Sequence, residues 1–264
     1  MKSRGVAIVA LTALTTMAAS GCGVGVHFAD YRHTTTMDDT HVSGVTSVQV
    51  DAGDGHVVVT KGSGDDVTVH RVVHYQRGTP HPGQRLNNGT LTFSSGCTRC
   101  RIDYDLVVPA SVSVRAHTDS GRVNVKDVRT ADVSTDSGSV TVRHVAGDVS
   151  ARSDSGSVTL QDVGGTLQVS TNSGSIHTTE LRSADATASS DSGSIHLAFA
   201  SAPKNVRMTA DSGSLHLAVP GGPYTVAVHT DSGGRHVGVP TASGATARLS
   251  LRTDSGSVNV VPAG

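Results

Sequence analysis

From Ser111 to the C-terminus, apolar and polar residues alternate in short runs, and one turn phrase breaks the runs at regular intervals, as in STDSGSVTV from Ser134 to Val142. Aligned on the glycine of that turn, eight copies place Gly121, Gly138, Gly156, Gly174, Gly193, Gly213, Gly233 and Gly256 at steps of 17, 18, 18, 19, 20, 20 and 23 residues. Ser precedes each of these glycines. Two residues after the glycine stand Val123, Val140, Val158, Ile176, Ile195, Leu215 and Val258, with Arg235 as the exception. Apolar columns recur four residues after the glycine (Val125, Val142, Leu160) and five and seven before it (Val133 and Ala131, Val169 and Leu167). A period of two on both sides of a turn predicts two half-buried strands per copy.

A single copy cannot bury its apolar face alone, whereas stacked copies share a continuous thin core. The predicted fold is therefore an all-β solenoid of repeats of about 18–20 residues, with equivalent residues stacked about 4.8 Å apart. The alternative is that Thr-Asp-Ser-Gly-Ser closes a two-residue hairpin, so that paired hairpins build the blades of a propeller. The drift of the step favours a stack, which tolerates uneven rungs better than a closed ring does.

Four regions follow along the chain. Residues 1–22 run from a basic start through the apolar stretch Gly5–Ala18 to Ala19-Ser-Gly-Cys22, the layout of an export signal rather than a membrane span. Its end resembles the lipobox of bacterial lipoproteins, although Ala19 stands where Leu is usual. That resemblance implies cleavage before Cys22 and a lipid on its thiol, which would anchor the chain to the outer face of the membrane. Residues 23–43 are polar and without sustained period, and are expected to be a flexible tether. Residues 44–109 hold strand-like runs at 45–50, 56–60, 67–75, 90–93 and 102–108, with a loop at 76–89, and are expected to be a degenerate start or cap of the array. Residues 110–264 are the regular array.

Composition sharpens this picture. The chain of 264 residues has 39 Val, 21 Asp and a single Glu, so strands and turns are favoured over helices. Seven aromatics leave Val, Leu, Ile and Ala to fill the core. A net charge of −1 gives no field that recruits nucleic acid.

Three sets of residues carry candidate chemistry. Cys97 and Cys100 are expected to close a small disulfide outside the cytoplasm; a redox site would call for a βαβ pattern, and zinc for a second pair of ligands. The turn ladder Asp119, Asp136, Asp154, Asn172, Asp191, Asp211, Asp231 and Asp254 is expected to cap its turns by Asx hydrogen bonds, with glycine supplying a positive φ and the turn Ser hydroxyls bonding along the stack. Like charges at rung spacing repel, so calcium between the carboxylates is the alternative. Three residues after the glycine stand Asn124, Thr141, Thr159, His177, His196, His216, His236 and Asn259, an outward column with His in four consecutive copies. Those four His are candidate ligands for zinc or another transition metal, or a group that charges in acid. Eight equivalent copies of the turn, seven of them with an Asp-Ser pair, argue against catalysis, which needs one distinctive constellation, and Gly62–Asp66 lacks the context of an esterase elbow. Polysaccharide lyases on β-helices combine a calcium cluster with unique basic residues, and no such single cluster is visible.

Tyr104–Val125 (YDLVVPASVSVRAHTDSGRVNV) and the TDSGSVTV phrases resemble a bacterial β-strand-repeat family, a domain of unknown function that carries an adhesin label. The likeness lies in the N-terminal export segment, Val108-Pro109 before the array and the recurring Asp-Ser-Gly-Ser-Val, and it extends over about 45–261. It implies a right-handed parallel β-helix-like array on the cell surface, with no catalytic residues to transfer. The expected function is thus a non-enzymatic surface lipoprotein whose array binds a protein or glycan partner. The alternatives are an envelope module tuned by calcium, transition metal or pH, and a carbohydrate-active β-helix enzyme.

Overall fold

A computed structural model describes residues 31–264; the export segment, Cys22 and the first part of the expected tether lie outside the described residues. Among the described residues, 23 strands form two sheets. Seven precede the regular array: β1 (His33–Val42), β2 (Ser47–Asp51), β3 (Val57–Lys61), β4 (Val67–Tyr75), β5 (Gly83–Asn87), β6 (Thr90–Ser94) and β7 (Cys100–Val108). The first four copies of the repeat give β8 (Ser113–Thr118) and β9 (Val123–Lys126), β10 (Thr130–Thr135) and β11 (Val140–Val145), β12 (Val149–Ser153) and β13 (Val158–Val163), β14 (Leu167–Thr171) and β15 (Ile176–Thr179). The last four give β16 (Asp185–Ser190) and β17 (Ile195–Ala198), β18 (Asn205–Ser212) and β19 (Leu215–Val219), β20 (Thr225–Ser232) and β21 (Arg235–Val237), β22 (Arg248–Ser255) and β23 (Val258–Pro262).

Each copy is one rung. Its first strand joins an 11-stranded sheet and its second a 12-stranded sheet. The Asp-Ser-Gly turn therefore links two sheets and closes no hairpin, and the first six copies pair in turn and in parallel, which rules out propeller blades. The register holds the predicted columns: Val114, Ala131, Val149, Leu167, Ala186 and Val206 are partners in turn. Their side chains and those of Val123, Val140, Val158, Ile176 and Ile195 face each other in the core, all buried. Removing a Val, Leu or Ile side chain from water contributes about 1.5–3 kcal/mol. Where both inward positions of one strand shrink to Ala186 and Ala188, the facing strand of that rung carries Ile195 and Leu197.

Two backbone features set the rung spacing. An added Cβ on any of the eight turn glycines would lie 1.4–2.2 Å from the glycine carbonyl oxygen of the adjacent rung, so the backbones touch where a side chain would stand. The expectation that these glycines supply a positive φ needs correction: only Gly233 (φ 152°) and Gly256 (φ 157°) have one, and close approach is the common cause. The Asx expectation is corrected too. In the first five copies the glycine N–H donates to the buried hydroxyl three residues before it, as from Gly121 to Thr118 (3.0 Å), Gly138 to Thr135 (2.9 Å) and Gly156 to Ser153 (2.8 Å). The same hydroxyls reach the neighbouring rung, Thr118 donating to the Gly55 carbonyl (2.9 Å) and Ser190 to that of Gly174 (3.4 Å). An Asx bond occurs in the degenerate copy, from Gly53 N–H to Asp51 (3.4 Å).

The order of the rungs departs from the order of the copies. The strands β22 and β23 pair with β18 and β19 on one side and with β20 and β21 on the other, so the eighth copy lies between the sixth and the seventh. Leu249, Leu251, Val258 and Val260 of the eighth copy are at most 1 % exposed, whereas the seventh has Arg235 in an inward column. A charge in that column is tolerated at the open end of the stack and would be unpaired inside it.

At the other end, β2 and β3 form a rung of their own under β8 and β9, with Gly55 in the turn, and β6 and β7 extend the two sheets in parallel. Antiparallel β4 and β1 then finish the 12-stranded sheet. Residues 33–42 of the expected tether are thus strand β1; its Thr-rich sequence suits a pleated edge, and Met37 packs on the core. The expected loop at 76–89 contains β5, which pairs with β6 through an Asn88-Gly89 turn with φ of 47° and 76°. Beneath this cap the Arg71 guanidinium is buried, donating to the Pro82 carbonyl (3.2 Å) and to Gln84 and lying 5.4 Å from the Phe93 ring centre.

Gly156→Ala is expected to lower stability by about 3 kcal/mol in urea unfolding, since neither backbone can yield without opening the ladder. Gly244→Ala, with nothing within 4 Å, should change it by less than about 0.5 kcal/mol. Equal effects of the two substitutions would show that close approach at the turn is not the constraint.

Candidate functional site

With inward columns committed to the core, chemistry is left to the turn edge and to the outer faces of the two sheets. At the turn edge, the seven Asp side chains and Asn172 are exposed. Three carboxylates meet the basic residue two positions earlier on their own strand: Asp119 with His117 (3.2 Å), Asp231 with His229 (2.8 Å) and Asp254 with Arg252 (3.1 Å). The ladder runs Asp119, Asp136, Asp154, Asn172, Asp191, Asp211, Asp254 and Asp231, because the last two rungs exchange places.

On the outer face of the 12-stranded sheet, β15, β17 and β19 are neighbours, and they stack His177, His196 and His216. Ring centres are 4.9 Å apart for the first pair and 4.4 Å for the second. The four His expected in sequence are not four in space: Asn259 of β23 follows His216, and His236 of β21 lies beyond it. The Asn259 amide nitrogen is 3.2 Å from His216 Nδ1, while its carbonyl oxygen is buried without a partner. Burial, and then the neighbouring His216 and His177, lower the pKa of His196 below the usual imidazole value. Among the described residues, no three His, Cys, Asp or Glu side chains converge to hold a metal ion.

The outer face of the 11-stranded sheet has a shallow polar hollow of about 710 Å3, lined by Gln49, Arg115, Asp132, Asp148, Ser150 and Gln168 among others. Arg115 pairs there with Asp132 at 3.0 Å. Smaller hollows continue along the same face past Arg152, Ser170 and Thr187 to Asp185, Asn205 and Arg248.

A column at the second corner escaped sequence reasoning. Asp127, His144, Asp162 and Glu180 stand six residues after the glycine in the first four copies, with φ of 58°, 52°, 56° and 57°. They carry polar links between rungs: His144 to Asp127 (3.1 Å), Arg182 to Asp162 (2.5 Å) and Gln161 to Glu180 (2.9 Å). The signal was present as a polar residue at a fixed offset, but the left-handed backbone it adopts has no marker such as Gly or Asn. Cys97, in the turn after β6, is joined by a disulfide to Cys100 at the start of β7, with Cα atoms 6.1 Å apart. It lies away from the columns and closes only a local loop.

Two mostly parallel sheets, rungs joined by one repeated turn and exposed columns of like residues define a β-solenoid repeat protein. Residues 45–261 match the Toastrack DUF4097 family, and the chain belongs to it. No curated protein matches the chain. Among solved structures, a candidate adhesin from Bacteroides fragilis NCTC 9343 is similar with 15 % identity and a TM-score of 0.50, over 87 % of this chain and 98 % of its own. A candidate cell adhesion protein from Clostridium sporogenes ATCC 15579 has 8 % identity and a TM-score of 0.36, over 87 % of this chain and all of its own. At such identities the likeness concerns the fold alone, and only the first is close enough to bear on it.

A base whose pKa is lowered on folding takes up its proton more readily in the unfolded chain, so stability is unaffected above the unfolded pKa and falls as pH drops through it. For His196 the loss sets in below about pH 6.5. The melting temperature should therefore fall between pH 7.5 and 5.5, and His196→Thr, which copies Thr141 and Thr159 of the same column, should make that fall shallower. An identical fall in both proteins would show that the burial of His196 is not the source of the loss.

Proposed function

We propose that the chain is an exported, lipid-anchored protein of the cell envelope whose solenoid is a non-enzymatic adhesion surface. Export and anchoring rest on the basic-apolar-small layout of residues 1–22 and on Cys22. The observation that carries the binding role is the polar hollow on the outer face of the 11-stranded sheet, together with its continuation along the rungs. Amide, hydroxyl and charged groups recur there at rung spacing, an arrangement suited to an extended polar chain such as a wall polymer or another glycan. Eight near-equivalent rungs provide a long rigid contact rather than one reaction centre. The description of the Bacteroides fragilis neighbour as a candidate adhesin agrees with this role.

The test uses cells that make the full chain. They are expected to retain purified wall polysaccharide saturably, and the triple variant Arg115→Ala, Asp132→Ala, Gln168→Ala should weaken retention at least tenfold. Cys22→Ser should abolish incorporation of labelled fatty acid into the chain. A chain that retains neither wall polymer nor matrix protein sinks the adhesion role, and fatty-acid labelling that survives Cys22→Ser sinks the anchor.

A further inference from the structure

The His column of the 12-stranded sheet has no part in that adhesion surface, and it carries an inference of its own. We propose that it binds a borderline divalent transition-metal ion, held by His196 and His216 from adjacent rungs and by the amide oxygen of Asn259 from the next. The three residues sit on β17, β19 and β23, which are neighbours in the sheet, in one outward column. The imidazole rings of His196 and His216 are already 4.4 Å apart, centre to centre. The Asn259 oxygen is a buried acceptor without a partner, on a side chain that touches His216 at 3.2 Å through its nitrogen. A half turn of the carboxamide puts that oxygen where the nitrogen now meets His216 Nδ1, and an ion there replaces the hydrogen bond. His216 then coordinates through Nδ1, the ring nitrogen that faces Asn259.

The surroundings suit this chemistry. The outward positions beside the three stacked His are Ser175 and Thr179, Ser194 and Ala198, and Ser214 and Ala218, small and uncharged. They leave the rings room to turn and bring no competing cation. Two imidazoles and one amide oxygen select zinc, copper or nickel, with water completing the shell, whereas calcium requires six or more oxygens. His177 extends the ladder on the far side of His196, and His236 borders a shallow hollow of about 420 Å3 beside Asn259.

The experiment titrates the full chain, stripped with chelator, with Ni2+, Zn2+ and Ca2+ in separate calorimetric runs. Saturable binding of Ni2+ and Zn2+ is expected, with no Ca2+ binding that depends on the column. The pair His196→Thr, His216→Thr should weaken Ni2+ and Zn2+ binding at least tenfold, Asn259→Thr should weaken it by a smaller factor, and the exposed His81→Thr should leave it unchanged. Thr and Asn occupy the same column in other rungs, so the fold tolerates them; unchanged far-ultraviolet circular dichroism checks this, and His216→Asn alone serves if the pair misfolds. Binding that survives loss of both His, or a wild-type chain that binds neither metal, overturns the proposal.

Discussion

The rungs can stack at β-sheet spacing only because the corner of each has no Cβ. At every turn glycine the neighbouring rung's carbonyl oxygen fills the place of the missing side chain, within 1.4–2.2 Å of it. In four of the first five copies the hydroxyl three residues earlier then serves both sides of the contact, accepting from its own glycine N–H and donating to the next rung's carbonyl, as Thr118 and Ser190 do. Those hydroxyls are almost wholly buried, as in Thr135, Ser153 and Thr171, so their loss strands backbone groups at about 1–3 kcal/mol each. Core burial supplies the bulk of the stability, but this corner decides that the burial occurs in register.

A stack built from near-identical columns does not by itself dictate which copy lies on which. Val258 can pair with Leu215 as well as Arg235 could, since the backbone geometry is the same. The difference lies in what each rung puts inside. Placing the eighth copy under the seventh buries Leu249, Leu251, Val258 and Val260 on both sides and leaves Arg235 on the outermost rung. A charged residue at an inward position of an edge also discourages pairing with further strands. One substitution thus ends the core and guards the exposed end.

Much of this was legible in the sequence, and the failures have physical causes. Period-two alternation placed the strands now seen at Ser47–Asp51, Val57–Lys61, Val67–Tyr75, Thr90–Ser94 and Cys100–Val108 to within about two residues. His33–Val42 was missed because an edge strand needs no sustained apolar face, and Gly83–Asn87 because Pro and Gly nearby outweighed the Asn88-Gly89 hairpin signal. The outward columns were legible, but their adjacency was not: four His in consecutive copies became three in a stack, with Asn259 between His216 and His236. Attention to the acidic turn residue also hid the Thr or Ser before it, present in seven of eight copies and replaced by Ala210 in the other.

Inward and outward columns are under separate constraints, and that separation is what gives the fold its functional reach. An inward change alters a core one rung deep and is felt by the rungs on either side. An outward change on a strand touches only the same column above and below, as Asn124, Thr141, Thr159 and His177 do along one face. Chemistry can therefore be written onto the surface rung by rung without disturbing the glycine contacts that hold the stack. It also comes in lines rather than points, because a residue gains a like neighbour only through the ladder. A surface of lines suits extended partners and ions shared between rungs, and it makes the polar face of one sheet and the imidazole column of the other separable in function.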